Sequence, residues 1–218
     1  MTPQFASLDD MRRALAPALA EAAVWDGWTE AAVRSAAAAQ GMDPDGAAFA
    51  FKDGAMAMIA AWVAAIDADM ARVLPPETLA QMKIRERIRT LVQFRLDSAE
   101  PHKEALRRAL AIMAMPQNAG RALKLGWASA DAMWRLAGDT ATDYNHYTKR
   151  LTLGSIYAAT LSVFASDESQ GHADTKAFLD RRIEDVMRFE KVKARLLRPR
   201  EEMFSPTRML GRLRYPSR

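Results

Sequence analysis

The feature that most constrains the fold of this chain is the helical spacing of its apolar residues. Apolar residues recur three and four positions apart along nearly the whole sequence, and alternating runs of Val, Ile and Thr are absent. This pattern predicts an all-α bundle of about nine or ten helices. A chain of 218 residues can bury a sizeable core, so the fold needs neither disulfides nor a structural metal.

Capping residues and helix breakers indicate where the helices begin and end. Ser7 and Asp10 have the spacing of a capping box and open a first helix to about residue 24. Thr29 can cap a second helix to about residue 40, and a short helix follows within residues 45–51. Further helices are predicted at residues 54–74, 77–99, 101–115, 118–136, 143–166 and 173–197, separated by proline and glycine.

The order of these helices predicts three parts: a three-helix, helix-turn-helix-like region at 1–53, a larger bundle at 54–198, and a basic tail at 199–218. The first two parts are similar to the DNA-binding and ligand domains of tetracycline-repressor-type regulators. A DNA reader needs basic residues on its second and third helices to neutralise phosphates. Residues 24–56 contain only Arg34 and Lys52 as bases, against five acidic residues. We therefore expect a vestigial helix-turn-helix and no specific nucleic acid partner.

The sequence offers little chemistry for catalysis. It contains no Cys, its three His are far apart, and it lacks the common nucleotide-binding and nucleophile motifs. Asp180, Glu184 and Asp185 are interleaved with arginines, which indicates an ion-paired helix face rather than a pair of catalytic carboxylates. We predict that the chain is not an enzyme, with no catalytic residue, no cofactor and no metal site.

Large apolar residues are plentiful: the chain contains 5 Trp and 13 Met. A helical core is one interpretation, and a cavity for a flexible apolar ligand is the other. The two most apolar segments, residues 54–66 and 151–166, are shorter than the ~18–20 residues that a membrane-spanning helix needs. The first thirteen residues lack the pattern of a secretory signal, so we expect a cytoplasmic protein.

Residues 139–150, DTATDYNHYTKR, form an unusual helix start. Tyr144, Tyr147, Leu151, Gly154, Tyr157 and Leu161 follow at helical spacing and predict one inward stripe. Asn145, His146 and Lys149 then lie beside the stripe or on the outer face. Such a polar and aromatic surface is typical of a protein interface, although a solvated first turn fits the same spacing.

Several blocks of the sequence resemble one family, the coenzyme Q (ubiquinone) biosynthesis accessory proteins that are ninth in the usual numbering. The resemblance covers about residues 10–195, and its most specific blocks are DYNHYTKR and FLDRRIEDVM. His146 and Lys176 stand where the family commonly has an aromatic residue. The other blocks are WDGWTEAAVRSAAAAQGMDP at 25–44, KIRERIR at 83–89, PHKEALRRAL at 101–110, MPQN at 115–118, IYAAT at 156–160 and the remainder of residues 174–194.

The resemblance implies a tetracycline-repressor-like fold without DNA binding, a homodimer, and a cavity for isoprenoid quinone lipids. It also implies a partner, the di-iron demethoxyubiquinone hydroxylase, to which the lipid is presented. The contact residues that correspond here are Asp143, Asn145, His146, Tyr147, Lys149 and Arg150. The alternative function on the same fold is a ligand-responsive DNA-binding transcriptional regulator.

Candidate residues for the lipid cavity are apolar positions of the bundle. They are Met58, Trp62, Ile66, Leu91, Phe94, Met113, Leu123, Trp127, Trp134, Tyr157 and Leu161.

The last residues predict contact with a membrane. Residues 188–218 contain 10 basic and 3 acidic residues, whereas the rest of the chain contains more acids than bases. Within this segment Met209, Leu210 and Leu213 fall on one helical face, flanked by Arg208 and Arg212. Such a short basic amphipathic segment is suited to the headgroup layer of an anionic membrane surface. We therefore expect peripheral association with the inner, cytoplasmic membrane.

Overall fold

The computed structural model describes residues 7–142 and 144–196, with side chains described through Phe189. These residues form helices and no strands, so the all-α prediction is confirmed. The tetracycline-repressor-like arrangement stays a prediction. The ten α-helices are α1 (Leu8–Asp26), α2 (Glu30–Ala39), α3 (Pro44–Ala50), α4 (Ala55–Val73), α5 (Pro76–Ala80), α6 (Ile84–Ala99), α7 (Lys103–Met113), α8 (Ala119–Leu136), α9 (Tyr144–Ser166) and α10 (Ala173–Leu196).

Most helix starts lie where the capping residues predict them. The Ser7 side chain accepts a hydrogen bond from the backbone N–H of Asp10 at 3.1 Å, and Thr29 does the same for Ala32 at 3.3 Å. Gly27 ends α1 in the left-handed region with φ 68°, a conformation that glycine adopts without steric cost. Local hydrogen bonding therefore explains why these boundaries can be read from the sequence.

The single helix predicted at residues 77–99 is wrong, because the chain breaks between α5 and α6. Arg87 stabilises this break: its Nε donates to the Met82 carbonyl at 2.9 Å and its Nη2 to the Ala80 carbonyl at 3.1 Å. The Glu86 side chain accepts from the backbone N–H of Lys83 at 3.1 Å, at the start of α6. A side chain from the next helix thus satisfies the carbonyls that a continuous helix would have used.

The first three helices pack through small side chains. Ala20, Ala36 and Ala47, one on each of α1, α2 and α3, are buried, and α1 also packs against α4 and α7. The indole N–H of Trp28 donates to the Ala105 carbonyl at 2.9 Å, which joins the start of α2 to α7. This region therefore rests on close helix contacts with the rest of the bundle.

The chain divides into two compact units, residues 1–180 and 181–218. The described part of the second unit is the remainder of α10, where Arg182 pairs with Asp185 at 3.0 Å and Arg188 with Glu184 at 3.3 Å. In the first unit Asp180 pairs with Arg89 at 2.7 Å. The predicted ion-paired helix face is therefore confirmed. The predicted boundaries at residues 53 and 198 stay predictions.

The helices differ in length and hydropathy, the two properties that decide whether a helix can cross a membrane. Within residues 7–142 and 144–196, no single helix is long and apolar enough to cross a membrane. Only α3 and α4 taken together meet the criterion, and these two helices are bent by 93° where they join.

Candidate functional site

A cavity of about 570 Å³ lies among α4, α6, α7, α8 and α9. Its wall is almost entirely apolar. Seven of the eleven predicted lipid-cavity residues line it: Trp62, Ile66, Met113, Leu123, Trp127, Tyr157 and Leu161. A volume of this size lies within the range of small-molecule and cofactor pockets in proteins.

The other four predicted lipid-cavity residues lie elsewhere. Met58 and Leu91 are buried in the core without facing the cavity. Phe94 lines a second, smaller cavity of about 390 Å³ near the start of α10. The Trp134 indole N–H donates to the Lys149 carbonyl at 3.0 Å, and this ring supports the Lys149 side chain instead. These residues share the helical spacing of the cavity wall but lie on different helix faces.

The cavity also has residues that the sequence analysis missed. Many are small, among them Ala99, Ala109, Ala122 and Gly126. Small side chains leave room beside the large ones, and their spacing of three and four along α8 was a usable signal. The prediction, which rested on bulky apolar residues, did not include these small ones.

Arg95 is one of two buried arginines in the cavity wall, and it is only 1% exposed. Its Nη1 pairs with the Asp67 carboxylate, and its Nη2 donates to the Ser129 hydroxyl at 3.0 Å. The guanidinium carbon lies 5.0 Å from the centre of the Tyr157 ring. A buried charge is tolerated here because a carboxylate and a hydroxyl compensate it.

Arg150 is the second buried arginine, 2% exposed, on α9. Its Nε donates to Asp131 at 2.5 Å and its Nη1 to Asp139 at 2.9 Å. Burial alone would lower the pKa of Arg150, but these two hydrogen bonds outweigh it and raise that pKa. Burial would likewise raise the pKa of Asp139, and hydrogen bonds from Lys149 and Arg150 lower it overall. Arg150 and Asp139 are therefore both charged near neutral pH.

The ion pairs of Arg150 with Asp131 and Asp139 fix which face of α9 points into the bundle, and this face differs from the predicted one. The buried residues of α9 are Arg150, Leu153, Tyr157, Thr160 and Phe164, whereas Tyr144, Tyr147 and Leu151 are exposed. The predicted inward stripe is wrong in its first half. Because Arg150 reaches inward to its two carboxylates, the aromatic residues at the start of the helix face outward.

An aromatic surface results, which we define as Trp127, His146 and Tyr147. The ring centres of Trp127 and Tyr147 are 6.1 Å apart, and those of His146 and Tyr147 are 5.2 Å apart. His146 is half-buried and its Nδ1–H donates to the Ala141 carbonyl at 3.0 Å. Tyr147 is 61% exposed. The surface thus presents aromatic side chains held by ring contacts, a composition found at protein interfaces.

The predicted partner-contact residues differ in their accessibility. Asn145 and Tyr147 are exposed, and Asp143 lies outside the described residues. Lys149 is half-buried and pairs with Asp139 at 2.6 Å. Arg150 is buried, and its Nη1 donates to the backbone carbonyl of His146, a residue of the aromatic surface, at 3.1 Å. The assignment of these residues to partner binding stays a prediction.

The aromatic surface and the cavity share a border. Trp127 lines the cavity and belongs to the aromatic surface. Leu123 and Leu151 also line the cavity and are 76% and 65% exposed. A ligand in this cavity would therefore be accessible from the side of the molecule that carries the aromatic surface.

The remaining predicted sites have less structural evidence. Met209, Leu210, Leu213, Arg208 and Arg212, predicted to contact a membrane, lie outside the described residues. Among residues 7–142 and 144–196, no three His, Asp or Glu side chains are grouped so that they could hold a metal ion.

The base on α2 of the helix-turn-helix-like region, Arg34, is already paired with carboxylates. The Arg34 side chain pairs with Glu30 at 2.8 Å and with Asp45 at 2.7 Å. Both acids belong to the same region, so this guanidinium is already compensated. This arrangement argues against phosphate contacts by α2 and α3.

Comparison with known proteins identifies relatives of this chain. The sequence family COQ9 matches residues 119–190. Ubiquinone biosynthesis protein COQ9, mitochondrial, from Rattus norvegicus is 36% identical over 168 residues, which are 74% of this chain and 54% of that protein. The Homo sapiens protein of the same name is 35% identical over 74% of this chain and 52% of its own length.

A more distant relative extends the match. The Drosophila melanogaster protein of the same name is 28% identical over 189 residues, covering 85% of this chain and 58% of that protein. This chain spans about half the length of the relatives it matches. The family match covers α8, α9 and much of α10, which include one side of the cavity and the aromatic surface. On these matches, the chain belongs to the COQ9 family.

Proposed function

We propose that this chain is a non-catalytic lipid-binding accessory protein of ubiquinone biosynthesis. In this proposal it holds an isoprenoid quinone intermediate and presents it to the di-iron demethoxyubiquinone hydroxylase at a membrane surface. The relatives are named as ubiquinone biosynthesis proteins and as mitochondrial proteins. The single observation that carries the proposal is the apolar cavity of about 570 Å³ in the first unit of the chain.

The shape of the site supports a carrier rather than a catalyst. Apolar side chains dominate the cavity wall, and its two arginines are paired with carboxylates. A quinone with an isoprenoid tail needs such a wall to leave a bilayer, because most of its surface is hydrocarbon.

The position of the cavity supports the presentation step. Trp127 lines the cavity and is also part of the aromatic surface. A partner bound to the aromatic surface would therefore lie at the border of the cavity. The homodimer, the tetracycline-repressor-like fold and the anionic membrane surface are further parts of this proposal. They rest on the family resemblance and on the basic residues near the end of the sequence.

Lipid retention tests the cavity. Ala109 lines the cavity and Ala111 is exposed two residues later on the same helix, which makes a matched pair. We expect Ala109→Trp to fill part of the cavity and to reduce the isoprenoid lipid that organic extraction recovers, while Ala111→Trp leaves it unchanged. The measurement is lipid mass spectrometry per mole of folded protein. Equal recovery from both variants, or no lipid from the unchanged chain, would contradict the carrier function.

Affinity for the hydroxylase tests the aromatic surface. Tyr147→Ala removes an exposed ring that contacts Trp127 and His146, and a central aromatic contact is worth more than 1 kcal/mol in many interfaces. We expect at least about fivefold weaker binding to the hydroxylase. Trp25→Ala is the control, because Trp25 is 82% exposed on α1 and lies outside the aromatic surface. A loss of affinity that is equal for both variants would show that the surface is misplaced.

A further inference from the structure

The two buried arginines of the cavity wall differ in one hydrogen-bond donor. In Arg150 the Nε–H donates to Asp131 at 2.5 Å. In Arg95 the terminal nitrogens are engaged by Asp67 and Ser129, but the Nε–H is buried and meets no acceptor within the part of the chain that the structure describes. Almost all buried donors in folded proteins have a partner, so a donor without one is a candidate contact for a ligand.

The surroundings of Arg95 define the group that would suit this donor. Arg95 lines the cavity together with apolar neighbours such as Ile66 and Ala99. Its positive charge is balanced by Asp67, and the Tyr157 ring faces the guanidinium. An anionic ligand would approach the Asp67 carboxylate as well, so it gains little from this arginine. A neutral oxygen acceptor accepts the Nε–H without adding charge to an apolar cavity.

We propose that the Arg95 Nε–H is the polar anchor of the cavity and donates to a neutral carbonyl or ether oxygen of an otherwise apolar ligand. The inference rests on the proposed lipid-binding function and specifies which end of the ligand lies inside. Arg95 is almost fully buried, whereas Leu123 on the same cavity wall is 76% exposed. The oxygenated ring of the held ligand therefore lies in the interior and its hydrocarbon chain extends toward the opening, so the ring must leave this position before the hydroxylase can act on it.

Two small probes separate the anchor from simple apolar binding. Hexyl-para-benzoquinone carries carbonyl oxygens, and hexylbenzene has the same chain without oxygen. Equilibrium dialysis against the full chain gives the affinity for each probe. We expect the quinone to bind at least about tenfold more tightly, since a hydrogen bond from a charged donor contributes that much. If both probes bind equally, the anchor is wrong and the lipid cavity stands. If neither binds, the proposed function fails too.

Substitutions test whether the preference for the quinone over hexylbenzene comes from the Arg95 side chain. Arg95→Lys keeps a positive charge for Asp67 but has no Nε–H, so the quinone should bind about tenfold more weakly and hexylbenzene as before. Arg107→Lys is the control, because Arg107 on α7 does not line the cavity and its Nε–H donates to the Ala165 carbonyl at 2.7 Å, and this variant should keep the preference. An equal loss of both probes in Arg95→Lys, with the circular dichroism unchanged, would make Arg95 merely structural.

A measurement on the unchanged protein covers the case in which Arg95→Lys does not fold. In protein with isotope-labelled arginine, an Nε–H resonance protected from solvent should shift when hexyl-para-benzoquinone is added. The same resonance should not shift with hexylbenzene. If no protected arginine Nε–H responds to the quinone, the anchor is excluded.

Discussion

The α1–α3 region and the bundle around the cavity fill their interiors in opposite ways. The α1–α3 region buries mainly alanine, and its members include Ala16, Ala20, Ala32, Ala36, Ala37, Ala47 and Ala50. The bundle contains far bulkier residues such as Trp62, Met113 and Trp127, yet it encloses about 570 Å³ of space. The region with small side chains is the more closely packed of the two, and we call it the closed region.

Helix spacing explains this difference. Alanine lets two helix backbones approach closely, so few gaps remain between them. Bulky side chains hold helices apart, and a wall that mixes them with glycine and alanine leaves a cavity. On α8 and α9, a Cβ built on Gly154 would lie 3.8 Å from Ala130 and from the Gly126 carbonyl, so these two helices nearly touch beside the open space. Side-chain volume alone therefore does not report whether an interior is filled.

Charge is also distributed differently in the two regions. The ion pairs of α1–α3, such as Arg34 with Asp45, are exposed, and exposed pairs contribute little to stability. In the bundle, Arg95 and Arg150 are buried against carboxylates. The bundle thus depends on compensated charge beside its cavity, whereas α1–α3 depends on close packing.

The largest expected effect contrasts two leucine truncations. Leu19 on α1 is completely buried, and Leu19→Ala should lower the free energy of unfolding by about 2–5 kcal/mol, because the closed packing leaves a new cavity. Leu110 on α7 is half-buried and already borders open space, so Leu110→Ala should cost only about 1 kcal/mol. Urea unfolding of both variants gives the two values. Equal losses would remove the distinction between a closed and an open region.

An intermediate effect contrasts two capping carboxylates. Asp167, between α9 and α10, is buried and accepts hydrogen bonds from Ser169 and Thr175. Burial would raise the pKa of Asp167, but those hydrogen bonds outweigh it and hold the pKa well below its usual range. Asp167→Asn should cost about 1.5–3 kcal/mol at pH 7. Asp43→Asn, at the exposed cap of α3, should cost much less, because Asn caps helices about as well as Asp.

The pH dependence gives the sign of the Asp167 contribution. Its pKa in the fold lies below the ordinary value of about 3.9, so on acidification the unfolded chain binds this proton first. The contribution to stability is therefore complete above about pH 4 and is lost as the pH falls further. The stability difference between the unchanged chain and Asp167→Asn should shrink in acid. A difference that stays constant from pH 7 to pH 3 would contradict the assignment.

The sequence predicted features that depend on local interactions. The starts of α1 and α2 follow from Ser7 and Thr29, whose side chains bond to the backbone within the next turn. The proline pair after α4 ends that helix for an equally local reason. The break between α5 and α6 was not predicted. Arg87, whose side chain stabilises this break, also contacts a helix that is distant in sequence, and such a contact cannot be read from local spacing. Arg87 donates to the Ala137 carbonyl at 2.7 Å at the end of α8.

The candidate site shows the same limit. Seven cavity residues were predictable as bulky apolar positions, but Arg95 and Arg150 were not recognised as parts of its wall. The partners of Arg150, Asp131 and Asp139, are distant in sequence, and periodicity assigns a charged residue to the surface by default. With Arg150 assigned to the surface, the predicted inward stripe of α9 included Tyr147, which is in fact exposed. A buried ion cluster is a tertiary feature, and the spacing of apolar residues does not encode it.

The smallest expected effect contrasts one glycine from each region. Gly126 lies inside α8 and lines the cavity, and a Cβ there would meet nothing within 4 Å. Gly126→Ala should therefore stabilise the protein by about 0.5–1 kcal/mol, through the higher helix propensity of alanine. Gly46 lies inside α3, where a Cβ would come within 2.9 Å of the Asp43 carboxylate that caps this helix. Gly46→Ala should gain the same propensity but disturb the cap, so its net effect on the melting temperature should be near zero. If Gly46→Ala stabilised the protein as much as Gly126→Ala, the α1–α3 region would have spare room, and its description as the closed region would be wrong.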